Sequence, residues 1–109
     1  MKHGPIALIN EYLPVICICT KTSDEVYEKM ISNMKEVQAR RGRIIAVATD
    51  GDEALADVAE DIMYVPAMRD AFSPLVNVVA LQLLAYYAAQ ARGTDIDKPR
   101  NLAKSVTVE

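Results

Sequence analysis

The sequence predicts an α/β fold: a small parallel sheet of about three strands in a three-layer α/β/α arrangement. Two short runs, PVICIC at residues 14–19 and RIIAVAT at residues 43–49, are apolar without alternation and rich in β-branched residues, as strands buried on both faces are. Between them, residues 22–42 carry apolar side chains at helical spacing, and a long apolar segment follows at residues 74–91. Strand and helix alternate, which calls for right-handed crossovers and a parallel sheet covered by helices.

Taken in order, MKHGPIALI reads as the end of a loop and a helix rather than the clean start of a domain. In the first strand, Cys17 and Cys19 are expected on opposite faces and unable to pair. With no other cysteine in the chain a disulfide framework is excluded, and a reducing cytoplasm is expected. The first helix is expected to start on a capping box of Thr22 with Glu25, to bury Val26, Met30, Met34 and Val37, and to stop at Gly42. After the second strand, DGDEALADVAED reads as a turn with a short helix, and IMYVP at residues 62–66 as the third strand. Ser73 and Pro74 then supply an N-cap and a first-turn proline for the last helix, which Gly93 ends. That helix is apolar almost all round and expects neighbours on several sides. The chain therefore either forms homo-oligomers or is the later part of a larger domain, and its opening residues favour the second.

Composition narrows the function. At 109 residues the chain is one domain or part of one, and 51% apolar with 25% charged residues is a globular balance. The net charge of -3, with acids and bases intermixed, argues against nucleic-acid binding, which needs a concentrated basic patch. Gly4, Pro5, Asn10 and Glu11 interrupt any apolar signal-peptide core. Residues 74–91 fall just short of the roughly 20 that span a bilayer and include Asn77, Gln82 and Gln90, so a buried helix of a soluble protein is expected, with no membrane partner.

Few side chains offer chemistry. His3, the only histidine, carries an imidazole, a group that when unperturbed changes charge near neutral pH and so suits general acid–base work, although a surface residue at a terminus has the same look. Lys104, between Ala103 and Ser105, could form an imine with a carbonyl substrate if desolvated; composition alone favours a solvated lysine. The acids Asp50, Asp52, Glu53, Asp57, Glu60 and Asp61 lack the alternation of a calcium loop and suit a helix N-terminus, so no metal is assigned. Thr20, Thr22 and Ser23 in CTKTSDE have phosphate-binding chemistry but no glycine beside them, and helix capping is the expectation. No cofactor-binding, P-loop or nucleophile-elbow motif occurs.

KHGPIALI, LQLLAYYAA and DIDKPRNLAKSVTVE together closely resemble the C-terminal part of the isomerising glutamine–fructose-6-phosphate aminotransferases, also called glucosamine-6-phosphate synthases. The resemblance runs from Lys2 to Glu109. It implies a partial sugar isomerase (SIS), Rossmann-like domain over residues 1–93 and a C-terminal active-site tail over residues 94–109. It further implies a part in making glucosamine-6-phosphate from fructose-6-phosphate and glutamine-derived ammonia, with no cofactor. By resemblance, Lys104 forms the imine with the open-chain sugar, His3 assists ring opening in a neighbouring subunit, and the Ala103 carbonyl touches the sugar. The glutaminase, the phosphate loop of the first SIS subdomain and the proton-shuttling glutamate before KHGP would lie upstream, so the isolated chain is expected not to turn over. The alternative is a non-catalytic half-SIS module for binding or oligomer contacts.

Overall fold

A computed structural model of the chain describes residues 4–98. After a 3-10 turn at Pro5–Leu8 come β1 (Val15–Cys19), α1 (Asp24–Gln38), β2 (Ile44–Thr49) and β3 (Asp61–Val65). A second 3-10 turn at Asp70–Phe72 leads into α2 (Ser73–Ala91). The three strands lie in the order β1-β2-β3, all parallel, with Cys17 beside Ala46 and Ala46 beside Ile62.

The core forms where α1 lies on one face of the sheet. Small side chains there, Cys17, Cys19, Ala46 and Ala48, let the helix approach, and Met34 and Val37 fill the gap with no residual exposure. Burying each large side chain contributes on the order of 1.5–3 kcal/mol. Leu55 and Val58, from the β2–β3 connection, close one side of this core. Alternation directs Val47 and Val65 to the opposite face; both are buried, and Val65 lines a groove with Val76, Val79 and Leu83 of α2. Helices thus flank both faces, as the sequence predicts.

Several local expectations are corrected. Cys17 and Cys19 share a face, because residues two apart on a strand must. Both are free thiols, and burial pushes the pKa of Cys19 up to about 11. The Thr22–Glu25 capping box is not formed: α1 starts one residue later with Ser23 at the cap, no side chain caps it, and Glu25 instead accepts from Lys29 Nζ at 2.6 Å. Val26 is 58% exposed, and Tyr27 with Ile31 takes its place on the inward face. Arg41, not Gly42, takes the left-handed conformation that ends α1, at φ 61°. Gly42 is needed for closeness, since a Cβ there would sit 2.6 Å from both Ile9 Cγ2 and Val37 Cγ1. DGDEALADVAED forms successive turns, not a helix; Gly51 at φ 79° and the Asp52 side chain bonding to Ala54 N–H compete with helical pairing.

The largest correction concerns α2. Its end is as expected, with Gly93 at φ 64° and Thr94 N–H donating to Ala89 O. Within this chain, however, only Ser73 and Asn77 of the helix are buried. Residues Asp70–Ala91 are long and apolar enough to cross a membrane by length and composition, with 11% of the apolar window buried. The reason is that α2 meets the sheet mainly at the β3 edge, and among the described residues no second helix or further strand covers its other sides.

Candidate functional site

Loops at the carboxyl ends of parallel strands are where open α/β sheets place their ligands. Here β1 leads into residues 20–23 and β2 into residues 50–60, and both loops meet at Asp52. Asp52 is 1% exposed. Its Oδ2 accepts from Tyr27 Oη at 2.6 Å, and its Oδ1 accepts from Ala54 N–H at 3.1 Å and faces Lys21 Nζ at 3.3 Å. The Lys21 ammonium also lies 5.7 Å from the centre of the Tyr27 ring.

Electrostatics follow from these contacts. Burial alone raises the Asp52 pKa, but the bonds from Tyr27, Ala54 N–H and Lys21 outweigh it and hold the carboxyl below its ordinary value. Tyr27 is shifted the other way, upward, by burial first and then by its bond to the carboxylate. With both oxygens engaged, Asp52 has little capacity left as a general base. The cluster ties a helix and two loops together, and its chemistry is that of positioning.

The CTKTSDE loop is held in the same way, at Lys21 and Thr20. Lys21 N–H donates to Thr49 Oγ1 at 2.8 Å, and Asn77 Nδ2 reaches Thr20 Oγ1 at 3.5 Å, leaving Asn77 Oδ1 buried without a partner. The expected side-chain cap from this segment is absent, as Ser23 makes no such bond. Of the acidic cluster, Asp52 is the buried member, while Glu60 forms a two-pronged pair with Arg43 at 2.8 Å at the other end of the sheet. His3, Ala103 and Lys104 lie outside the described residues. Sequence reasoning missed the Asp52 cluster because its partners Tyr27 and Lys21 are 25 and 31 positions away. The available signal was a tyrosine at a helical spacing shared with Met30, Ile31 and Met34, plus an acid just past a buried strand.

Comparison with known proteins gives the chain its relatives. The SIS domain family matches residues 1–92. Over 109 residues the chain is 57% identical to the isomerizing glutamine–fructose-6-phosphate aminotransferase of Thermus thermophilus, covering all of this chain and 18% of that protein. The enzyme of the same name from Chlorobaculum tepidum is 53% identical over 109 residues, again across the whole chain and 17% of its own length. Among solved structures, the C-terminal domain of glucosamine-fructose-6-phosphate aminotransferase from Francisella tularensis matches with a TM-score of 0.74 at 34% identity, over 89% of this chain and 27% of that one. The chain thus spans less than a fifth of the length of the curated relatives it matches.

Proposed function

The chain belongs to the SIS domain family, and from that premise we propose that it is the C-terminal portion of the isomerase part of a glutamine–fructose-6-phosphate aminotransferase. The observation that carries this reading is identity of 57% sustained across the whole chain, its tail included. In this reading residues 1–93 are the later part of the SIS domain and residues 94–109 an active-site tail. The substrate is fructose-6-phosphate, aminated with ammonia from glutamine and isomerised to glucosamine-6-phosphate.

The tail closes over the sugar and delivers Lys104. Desolvation there favours the neutral amine, which adds to the carbonyl carbon of the open-chain sugar; loss of water then leaves the imine. His3 acts as the acid and base of ring opening in a neighbouring subunit, so the working unit is a homo-oligomer, and the Ala103 carbonyl contacts the sugar. The Asp52 cluster supports this from outside the chemistry by fixing the loops at the strand ends. The upstream SIS and glutaminase segments complete the site, and the chain alone does not turn over. The protein works in the cytoplasm, where the buried free thiols Cys17 and Cys19 remain reduced.

The test is trapping. The chain is incubated with fructose-6-phosphate, with and without the upstream part of the isomerase in trans, then reduced with borohydride and mapped by peptide mass. An adduct on Lys104 is expected when the upstream part is present. No adduct with that part, while an intact relative is labelled, favours the second reading, a non-catalytic assembly module, toward which the exposure of α2 points.

A further inference from the structure

Resting on the family reading above, we propose that Ile9, seated against Gly42, is a positioning residue for His3. The contact pins the segment that carries His3 to the C-terminal end of α1, and so sets where the imidazole stands when the sugar ring opens.

The backbone of residues 4–13 is organised from within. Ala7 N–H donates to Gly4 O at 3.0 Å and Ile9 N–H to Ile6 O at 3.4 Å, closing the 3-10 turn that Pro5 starts. Asn10 Oδ1 then accepts from the N–H groups of Tyr12 at 2.9 Å and Leu13 at 3.0 Å, a side-chain turn that holds the next bend. Among the described residues, no hydrogen bond from this segment reaches the rest of the chain, and the first that does is Val15 N–H to Arg43 O at 2.7 Å. Hydrogen bonds alone would therefore leave a stiff unit free to swing about its junction with β1.

Side-chain packing supplies the second point of attachment. Ile9 is half-buried and is the residue of this segment that packs on the α1 core, while Leu8 and Tyr12 near it stay exposed. Gly42 makes the seat: a Cβ there would lie 2.6 Å from Ile9 Cγ2, so only a residue without one lets Ile9 settle. The glycine serves space rather than chain reversal, because Arg41 already takes the left-handed turn at φ 61°. His3 lies outside the described residues, one peptide bond before Gly4, so the place of its imidazole follows from how the pinned unit is held. Rate depends steeply on such placement, since a shift of about 1 Å at a reacting group can cost about 100-fold.

The test grafts the 109-residue chain in place of the matching stretch of the Thermus thermophilus relative and compares two substrates. Fructose-6-phosphate closes its ring through the 5-hydroxyl, whereas its 5-deoxy analogue cannot form that ring and needs no opening. Ile9→Ala should lower kcat/KM for fructose-6-phosphate by about 10-fold or more, yet lower it for the analogue by no more than about twofold. Ile9→Val, which keeps the branched Cβ over Gly42, should restore most of the loss. Gly42→Ala, which crowds Ile9 from the other side, should show the same split between substrates. Met34→Ala, which loosens the core away from the seat, should treat both substrates alike. In the free chain, Ile9→Ala should speed hydrogen exchange over residues 4–13 by about 10-fold, with that of β2 little changed. Equal slowing of both substrates, as a merely structural Ile9 would give, no slowing at all, or unchanged exchange would each overturn the proposal. An unsubstituted graft that makes no glucosamine-6-phosphate sinks the family reading and this proposal with it, whereas normal turnover by every Ile9 and Gly42 variant in an active graft sinks the proposal alone.

Discussion

Asp52 is one of six acids within a dozen residues, and nothing in its immediate sequence separates it from Asp50 or Glu53. What separates it is burial beside a phenol, a backbone N–H and an ammonium, and each of those comes from folding. The pair it makes with Tyr27 has a measurable consequence at high pH. Tyr27 keeps its proton above the ordinary tyrosine value of about 10. Between that value and the raised one the folded chain holds a proton that the unfolded chain has lost, so stability falls as pH rises. Cys17 and Cys19, also raised, start the same decline nearer the ordinary thiol value of about 8.5. Urea unfolding between pH 8 and 11 should show the midpoint falling across the range. Tyr27→Phe should remove the part of the decline above about pH 10 and leave the thiol part; an unchanged profile would mean the phenol is not held as the structure has it. Asp52 has the opposite sense: its contribution is present above the ordinary carboxyl value of about 4 and is lost as pH falls through the lowered one.

The two helices differ in what the chain gives them to pack on. Helix α1 was legible because its apolar positions recur at helical spacing, and it meets the sheet along Met30, Met34 and Val37. Its start was misread by one residue because Thr22 and Ser23 are both acceptable caps on sequence grounds and only backbone geometry chooses between them. Helix α2 was equally legible as a helix, yet its surroundings were not. The difference predicts a contrast in truncations. Met34→Ala, at a fully buried site, should cost the chain about 2–5 kcal/mol. Leu83→Ala, at a site 51% exposed, should stay within about 0.5 kcal/mol. Chemical denaturation of both variants checks this, and a large loss at Leu83 would show that α2 is packed in solution in a way this chain's own elements do not provide.

At the scale of the whole molecule, the exposed apolar surface is the dominant fact. Phe72, Leu75, Val79, Leu83 and Tyr87 are each more than half exposed, and the β1 edge is open beside Ile16 and Ile18. Surfaces of this kind associate. Sedimentation velocity on the chain alone should therefore show concentration-dependent self-association, and a monodisperse, cooperatively melting monomer would contradict it. The order of strands and helices, the parallel sheet and the family resemblance came from the sequence by itself, because hydrophobic periodicity and a distinctive tail are local properties written residue by residue. Local pattern also misled it at the start of α1 and at DGDEALADVAED, where a helical composition gave way to turns once Asp52 was committed elsewhere. Only the tertiary structure decided that Asp52 joins Tyr27 and Lys21, and that β1 and α2 are left uncovered. Each of these depends on which distant segments meet, and contact between distant segments is a property of packing that no local stretch contains.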